Sequence, residues 1–301
     1  MRVFVTGGTG YIGQGVVQHL VAAGHVVTGL VRAEERVPLL TRLGARAVLG
    51  NIRDPEAYAA AAGESDALVH LGFDAGEQPA VADRTAVDTL LAAARGPHGP
   101  RTFLYTSGCL VVGKAGAAPA YEDASTAGAL FNTWRPAHEE LVLAAASPEL
   151  ATSVVRPGWV YGGDRGAVAG YFATALDEGK AAYIGEGKNR MPLIHRDDLA
   201  ELYRLVLERR ARGIFHAFDQ GQDRVLDQAT AASRAAGRGG ATRSIPLEEA
   251  RKTLGPWADA YCLDQWLGSR RAEALGWKPR RPFADTADQA FAEWRAARAA
   301  A

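Results

Sequence analysis

This chain of 301 residues has few cysteines and a formal net charge of zero at pH 7. Its two cysteines, Cys109 and Cys262, are too few for a disulfide framework in a chain of this size. Neither has a nearby Cys or His at metal-ligand spacing, so we expect free thiols, a reducing compartment and no metal site. Lys and Arg together number 34, as do Asp and Glu, and the charges are scattered along the chain. The composition therefore argues against nucleic acid as a partner.

Long apolar runs are absent as well. A membrane-spanning helix needs about 20 consecutive apolar residues, and no stretch of the sequence reaches that length. Because a strand is predicted from Arg2 onward, we also expect no signal peptide. These observations predict a soluble, cytoplasmic protein without a membrane partner.

Glycine is abundant, and three glycines near the start of the chain form one motif. Val3 and Val5 predict a buried strand, and the apolar residues that follow the glycines recur at helical spacing. Gly7, Gly10 and Gly13 therefore lie where a strand turns into a helix. At such a junction one glycine permits the tight turn, the next lets backbone amides approach a pyrophosphate, and the third lets the helix pack closely on its strand. The motif predicts a dinucleotide-binding site.

Strand-like and helix-like segments alternate over the first half of the chain. Strands are predicted at 2–6, 25–31, 46–49, 67–71, 102–106 and 151–156, and helices at 11–23, 34–43, 55–62, 80–95 and 131–146. This order predicts an α/β protein with a Rossmann-type, doubly wound parallel sheet.

Beyond residue 158 frequent glycines break the pattern into loops and short elements. We predict a dinucleotide-binding domain over residues 1–158, to which the segment at about 188–218 returns. A smaller, discontinuous substrate-binding region is predicted over 159–187 and 219–301. The crevice between the two regions, at the carboxyl ends of the strands, is the expected site for a small-molecule substrate.

Six short motifs occur in a characteristic order along the chain. They are Thr6–Gly13, Gly50–Asp54, His70–Gly72, Val155–Gly162, Ile194–Ala200 and Arg271–Pro279. Together they resemble the extended and atypical short-chain dehydrogenase/reductase families, the relatives of nucleotide-sugar epimerases and dihydroflavonol-type reductases. The resemblance implies a bound nicotinamide dinucleotide. The residues expected around it are Gly7, Thr9, Gly10, Tyr11, Ile12, Gly13, Arg32, Asn51, Ile52, Leu71, Gly72, Arg135, Pro157 and Gly158.

Two of these residues bear on which dinucleotide is bound. Arg32 closes the second predicted strand, where Val31 occupies the place that an Asp takes to bind the ribose of NAD. An Arg at this point favours a 2′-phosphate, so we expect NADP(H) to be preferred over NAD(H); the alternative is a solvated Arg. Asn51 could accept a hydrogen bond from the adenine amine, or it could cap the turn at Asp54–Pro55.

The catalytic residues depart from the pattern that the resemblance implies. These families use a Tyr-x-x-x-Lys pair on the fifth helix and a Ser or Thr that orients the substrate carbonyl. Here Phe131 occupies the Tyr position and Arg135 the Lys position, and shifting the alignment by three residues provides no Tyr either. Gly108 stands where the hydroxyl is expected, with Ser107 one position earlier. We therefore predict Ser107 and Arg135 as the catalytic residues of a site without the usual Tyr.

Each of these two residues also has a structural interpretation. Arg135 could pair with Glu139 one helical turn away, and a Ser at a strand end often satisfies backbone groups. Three further residues are candidate proton donors: Tyr121, Tyr161 and His195.

The sequence therefore predicts an NADP(H)-binding oxidoreductase that acts by hydride transfer on a small or medium organic substrate. Two alternatives remain open. One is a catalytically silent dinucleotide-binding sensor or regulatory protein, and the other is a sugar-nucleotide-type epimerase or dehydratase with retained NAD. The family pattern also implies a homodimer formed through the helices near 80–95 and 131–146.

Overall fold

Alternating strands and helices make up the first half of the chain in a computed structural model, which describes residues 1–96, 101–114, 116–221 and 223–299. These elements are β1 (Arg2–Thr6), α1 (Tyr11–Ala22), β2 (Val26–Val31), α2 (Val37–Arg42), β3 (Arg46–Leu49), α3 (Ala59–Gly63), β4 (Ala67–His70), α4 (Pro79–Ala94), β5 (Arg101–Thr106), α5 (Arg135–Ala144) and β6 (Leu150–Pro157).

The second half has shorter strands between its helices. Its elements are β7 (Trp159–Gly162), β8 (Arg165–Gly166), α6 (Ala169–Glu178), β9 (Ala181–Ile184), β10 (Leu193–His195), α7 (Arg196–Glu208), β11 (Gly213–Ala217), α8 (Val225–Ala235), β12 (Thr242–Ile245), α9 (Leu247–Leu254), α10 (Trp257–Tyr261), α11 (Arg271–Ala274) and α12 (Phe283–Ala299).

The main sheet has seven strands in the order β11-β6-β5-β4-β1-β2-β3, and every neighbouring pair is parallel. The chain leaves β1 toward β2 on one side and returns to β4 on the other, so the strand order reverses between β1 and β4. A crevice for a ligand forms outside the carboxyl ends of the strands at such a point. The predicted Rossmann-type α/β fold is confirmed.

Helices cover both faces of this sheet because alternate residues of each strand point in opposite directions. Val3 and Val5 of β1 belong to an apolar cluster with α1 and α7, whereas Phe4 belongs to a cluster with α3, α4 and α5. All three side chains are fully buried. The sheet is therefore the central layer of three.

Most of the residues after β6 form smaller sheets and helices at the carboxyl end of the main sheet. Strands β10, β7 and β8 make a three-stranded sheet, and β12 pairs with β9. Helices α6, α8 and α12 pack around a separate apolar cluster that includes Phe172, Phe283 and Trp294. Within the segment 188–218, β10 joins the three-stranded sheet while α7 and β11 belong to the layers of the main sheet.

The helix predicted over 131–146 is shorter than expected, which is a correction that matters for the site. The helix α5 begins only at Arg135 and has Pro136 in its first turn. Asn132 has a φ of 48°, a left-handed conformation that no α-helix contains. Phe131 therefore lies in the loop before α5 and not one turn earlier on the same helix.

Helices α4 and α5, the expected dimer interface, lie side by side and share the second apolar cluster. Val142 is fully buried within the protomer, and Leu141 and Leu143 are half-buried. The homodimer stays a prediction.

Candidate functional site

The glycine turn between β1 and α1 has a geometry that only glycine allows. Gly7 has a φ of +71°, and a Cβ at this position would lie 2.6 Å from the carbonyl carbon of Leu71. A Cβ on Gly13 would lie 2.0 Å from the carbonyl oxygen of Gly7, far inside van der Waals contact. The absence of both side chains lets α1 begin directly above the end of β1.

The first turn of α1 is open to an anion. Gly10 is its N-cap, no side chain caps it, and the first turn has no acidic residue. The first amides of a helix lack intrahelical acceptors, and the helix dipole adds partial positive charge there. This end of α1 can therefore bind a phosphate group through its backbone. A Cβ on Gly10 would approach only the carbonyl oxygen of Gly7, at 3.1 Å.

A cleft of about 670 Å³ lies over this turn. The predicted residues that line it are Gly7, Thr9, Gly10, Tyr11, Ile12, Gly13, Arg32, Ile52, Leu71 and Gly72. Six more lining residues were not predicted as cofactor contacts: Leu30, Ala33, Arg36, Phe73, Asp74 and Arg165. These six come from residues 30–36, 73–74 and 165, which only the fold brings together.

Arg32 and Arg36 are both exposed at the rim of the cleft. Within the described ranges, neither guanidinium has a hydrogen bond or an ion pair to another residue. By contrast, Arg53 donates to Asp74 Oδ2 at 2.7 Å and to the carbonyl of Glu77. The two rim arginines thus provide positive charge without a hydrogen-bonded counterion, although the charge of Arg32 also acts on the carboxylate of Asp74 in the same cleft.

Asn51 has a structural role in this geometry. Its Oδ1 accepts a hydrogen bond from the backbone N–H of Arg53 at 3.1 Å, which closes the turn that follows β3. Ile52, and not Asn51, is among the residues that line the cleft. The side-chain oxygen proposed for the adenine amine is therefore used by the backbone.

Tyr11 joins the two regions of the protein. Its hydroxyl donates to the carbonyl oxygens of Gly162 at 2.7 Å and Arg165 at 2.9 Å. Burial of the phenol raises its pKa above the ordinary value, so Tyr11 stays a neutral donor. The predicted cofactor residue contributes its ring to the cleft wall, while its hydroxyl ties α1 to the β7–β8 hairpin.

A second cavity of about 240 Å³ adjoins the cleft and shares Ile12 with it. Four more of the predicted site residues line this cavity: Ser107, Arg135, Pro157 and Gly158. The remaining lining residues are Gly108, Cys109, Leu110, Val111, Phe131, Asn132, Trp159, Val160 and Trp257.

Ser107 follows β5 and is 8% exposed. Its backbone N–H donates to the carbonyl of Val155 at 2.8 Å, but its Oγ is buried and has no hydrogen-bond partner among the described residues. An unpaired buried hydroxyl costs about 1–3 kcal/mol. The structural interpretation, in which the hydroxyl satisfies a backbone group, does not apply here.

Arg135 opens α5 and is 9% exposed. Its Nη1 donates to the carbonyl of Thr106 at 2.6 Å and to the hydroxyl of Tyr105 at 3.4 Å, and its guanidinium lies 4.8 Å from the ring centroid of Trp134. The alternative pairing with Glu139 is wrong, because the Glu139 carboxylate forms a buried ion pair with Arg156. In the part of the chain that the structure describes, no carboxylate pairs with Arg135.

A buried polar network lies beneath Arg135, with the carboxylate of Asp83 at its centre. Tyr105 Oη donates to Asp83 Oδ2 at 2.8 Å, His138 Nδ1 lies 2.7 Å from the same oxygen, and His70 Nε2 lies 3.2 Å from Oδ1. Thr6 Oγ1 lies 2.6 Å from His70 Nδ1. The network connects β1, β4 and β5 to helices α4 and α5 at the carboxyl end of the sheet.

Two opposing effects act on the pKa of Asp83. Burial alone raises the pKa of the carboxyl group, but hydrogen bonds from His138 and His70 and the nearby charge of Arg135 lower it by more. The pKa of Asp83 therefore lies well below its ordinary value, and the carboxylate is ionised at neutral pH.

The three other candidate proton donors line neither cavity. Tyr161 donates to the carbonyl of Arg281, His195 Nε2 lies 3.1 Å from Glu293 Oε2, and the ring of Tyr121 stacks under Arg270 at 3.6 Å. All three have structural partners away from Ser107.

Among the described residues, no cluster of His, Cys, Asp and Glu could hold a metal ion. Nor does any helix in those ranges have the length and apolar character needed to cross a membrane.

The fold and the cleft define a Rossmann-type α/β protein with an anion-binding glycine turn. The model of the NAD dependent epimerase/dehydratase family matches residues 3–218, and the chain belongs to this family. Its members take a nicotinamide dinucleotide as cofactor. The resemblance inferred from the motifs is thereby confirmed at the level of the family.

Relatives and solved structures align over nearly the whole chain. An uncharacterized protein of Saccharomyces cerevisiae is 30% identical over 291 residues, which cover 93% of this chain and 95% of the relative. The 3-diazoavenalumate denitrifying reductase of a Streptomyces species is 31% identical over an alignment of 311 positions, which covers 94% of this chain and 97% of that protein. A crystal structure of a human epimerase family protein with NADPH has a TM-score of 0.80 at 24% identity and covers 97% of this chain and 99% of that chain.

The glycine turn can be tested by adding a single methyl group. Gly13→Ala places a Cβ 2.0 Å from the carbonyl oxygen of Gly7, so we expect it to lower the free energy of unfolding in urea by about 3 kcal/mol. Gly63→Ala in α3 is the control, because nothing lies within 4 Å of its added Cβ, and its stability should stay equal or rise. Equal stability of both variants would contradict the close packing of α1 on β1.

The Asp83 network predicts a pH-dependent loss of stability. Because the pKa of Asp83 is lower in the folded than in the unfolded protein, the ionised carboxylate stabilises the fold above about pH 4, and this contribution is lost as the pH falls further. Asp83→Asn should therefore lower the free energy of unfolding by about 3 kcal/mol at pH 7, with the difference from wild type shrinking below pH 4.

The matched control is Asp88→Asn on the same helix, where an exposed ion pair with Arg84 is removed. Its effect should stay below about 0.5 kcal/mol at every pH. If the difference in the free energy of unfolding between Asp83→Asn and wild type stays constant from neutral to acid pH, the Asp83 carboxylate is not ionised in the fold as described.

Proposed function

We propose that the protein is an NADP(H)-dependent oxidoreductase that acts on a small organic substrate in the second cavity, without the usual catalytic Tyr of its family. One observation carries the proposal. The unpaired hydroxyl of Ser107 and the guanidinium of Arg135 line the same cavity, and this cavity adjoins the dinucleotide cleft at Ile12.

The residues of the cleft fit a dinucleotide. The uncapped start of α1 and the three glycines would hold the pyrophosphate, with Ile52, Leu71 and Gly72 along the walls. When bound, the nicotinamide supplies or accepts the hydride. The cleft meets the second cavity at Ile12, so the nicotinamide would lie toward this end. Pro157 and Gly158 are part of the wall of the second cavity.

The preference for NADP(H) rests on charge at the rim of the cleft. Arg32 and Arg36 are exposed there, and neither guanidinium has a hydrogen-bonded protein partner among the described residues. Val31 stands where a carboxylate would bind the ribose of NAD. A guanidinium binds a phosphate through short, charge-assisted hydrogen bonds. A 2′-phosphate would meet two cations at this rim.

Ser107 and Arg135 can supply the electrophilic part of the reaction. The Ser107 hydroxyl can donate a hydrogen bond to a substrate oxygen, and the charge of Arg135 stabilises negative charge that develops beside it. Arg135 is well suited because three aromatic rings and the Thr106 carbonyl hold its guanidinium without neutralising it. The reductase name of the Streptomyces relative is consistent with hydride chemistry.

The absence of a phenol from this cavity is part of the proposal. Phe131 lies outside α5, and its ring stacks on Trp257 with centroids 5.3 Å apart. Gly108, at the position where the family has a hydroxyl, leaves open space, since nothing lies within 4 Å of an added Cβ. We infer that this space belongs to the substrate.

The cofactor preference can be measured by calorimetry with NADPH and NADH. Arg32→Ala should weaken NADPH binding by roughly 10- to 100-fold, since it removes a charge-assisted phosphate contact worth about 1.5–3 kcal/mol, and should leave NADH binding unchanged. Arg42→Ala, which removes an exposed Arg that does not line the cleft, should change neither affinity. Tighter binding of NADH than NADPH by the wild-type protein would contradict the preference.

The role of Ser107 has a closely matched control. Ser107→Ala should lower kcat by about 100-fold, the typical effect of removing one hydrogen-bond donor to a developing oxyanion, with NADPH affinity unchanged. Ser233→Ala removes another buried, unpaired hydroxyl that does not line either cavity, and should leave kcat unchanged. The measurement is NADPH consumption with the best substrate from a panel of aldehydes, ketones, imines and activated alkenes.

The same assay tests whether a phenol is missing or unnecessary. Phe131→Tyr should leave kcat equal or lower it, because residue 131 is not held on α5 beside Arg135. A rise of about 100-fold or more would show that the site has only lost its proton donor. Equal kcat values for Ser107→Ala and wild type would remove Ser107 from the mechanism.

A further inference from the structure

The lining of the second cavity carries information about the substrate, on the assumption that the proposed function is correct. Of its lining residues only Arg135 is charged, and most of the others are apolar or glycine. A nucleotide sugar carries two phosphate charges and many hydroxyl groups, and each one buried without a partner costs about 1–3 kcal/mol. The cavity has too few polar groups to satisfy such a molecule.

The size of the cavity sets a second limit. An apolar cavity of about 150 Å³ takes up benzene, and the second cavity has about 240 Å³. A single ring with a short substituent fits this volume, whereas a nucleoside diphosphate sugar is several times larger and would have to extend well beyond the cavity. Gly108 adds to the available depth because it has no side chain in the wall.

An aromatic pair forms part of the wall. Phe131 comes from the loop before α5 and Trp257 from α10, and their rings are stacked at an interplanar angle of 20°. The left-handed backbone of Asn132 turns the chain between Phe131 and Arg135. Trp257 remains 45% exposed despite this stacking, so part of a large apolar surface stays uncovered beside the cavity.

Trp159 adds a third aromatic side chain and is fixed against Tyr261, with ring centroids 4.7 Å apart. Aromatic rings prefer stacked or edge-to-face neighbours, and such a pair contributes about 0.5–1.5 kcal/mol beyond the burial of its area. A flat aromatic molecule would gain both the stacking energy and the energy of burying its apolar area in this cavity. A flexible polar molecule would gain neither.

We propose that the substrate is a small aromatic compound with a carbonyl group, whose ring lies against Phe131 and Trp257 and whose oxygen faces Ser107 and Arg135. The aromatic wall then provides binding and the two polar residues provide orientation. Because the ring is bound by surfaces outside the dinucleotide cleft, changes to Trp257 should alter substrate affinity without altering cofactor affinity.

The experiment measures the binding of benzaldehyde and of UDP-glucose to the full-length protein, with NADP⁺ present so that no reduction occurs. Ligand-observed NMR titration gives the two affinities, and calorimetry on the same samples gives the affinity for NADP⁺. We expect benzaldehyde to bind and UDP-glucose neither to bind nor to displace it.

Three variants locate the aromatic site. Trp257→Ala should weaken benzaldehyde binding by about tenfold and leave the NADP⁺ affinity unchanged, while Trp257→Phe, which keeps a ring, should retain most of the affinity. Leu254→Ala is the control: Leu254 is exposed at the end of the neighbouring helix α9 and does not line the cavity. It should bind benzaldehyde like the wild type.

Tighter binding of UDP-glucose than of benzaldehyde would overturn this inference, as would an unchanged benzaldehyde affinity in Trp257→Ala. In both cases normal NADP⁺ binding would leave the proposed function standing. A wild-type protein that does not bind NADP⁺ would instead overturn the proposed function, and the inference with it.

Discussion

The carboxylate of Asp83 is the buried charge around which the carboxyl end of the main sheet is arranged. It lies on α4 and interacts with Tyr105 of β5, His70 of β4 and His138 of α5. A buried carboxylate is tolerated only where hydrogen bonds and opposite charge offset its desolvation. The three partners fix how the two strands and two helices approach one another. Leu71 and Gly72, which follow β4, line the cleft, while Ser107, which follows β5, and Arg135 of α5 line the second cavity.

The consequence of this arrangement is seen in Arg135. The hydroxyl of Tyr105 donates a hydrogen bond to Asp83 and accepts a weak one from Arg135. The carbonyl of Thr106 accepts a stronger hydrogen bond from Arg135. The guanidinium is thus oriented from below by backbone and phenol oxygens while no carboxylate pairs with it in the described ranges. Its charge remains available to the second cavity, next to the unpaired hydroxyl of Ser107. A positive charge held in this way is what a reaction needs when it develops negative charge on a substrate oxygen.

Local features of the sequence could be predicted, and features assembled over long distances could not. The roles of Gly7 and Gly13 follow from one short segment, residues 7–13, at the junction of a strand and a helix, and the structure has the close approaches that they imply. The Asp83 network joins residues that are separated by 13 to 64 positions, so no periodic pattern indicates it. The place of Trp257 in the cavity wall could not be predicted for the same reason, because Trp257 comes from α10, far along the chain from the other lining residues. The start of α5 was misplaced because the apolar pattern does not show the left-handed backbone of Asn132.

The central claim is that the cleft and the second cavity form one site, with the dinucleotide running from Arg32 past Ile12 toward Ser107 and Arg135. A crystal structure of the protein grown with NADPH tests it most directly. The account predicts the pyrophosphate at the first turn of α1, the 2′-phosphate within hydrogen-bond distance of Arg32 or Arg36, and the nicotinamide ring near Ile12, where the cleft meets the second cavity and faces the substrate space beside Ser107. A nicotinamide that points out of the cleft, away from Ser107 and Arg135, would contradict the account.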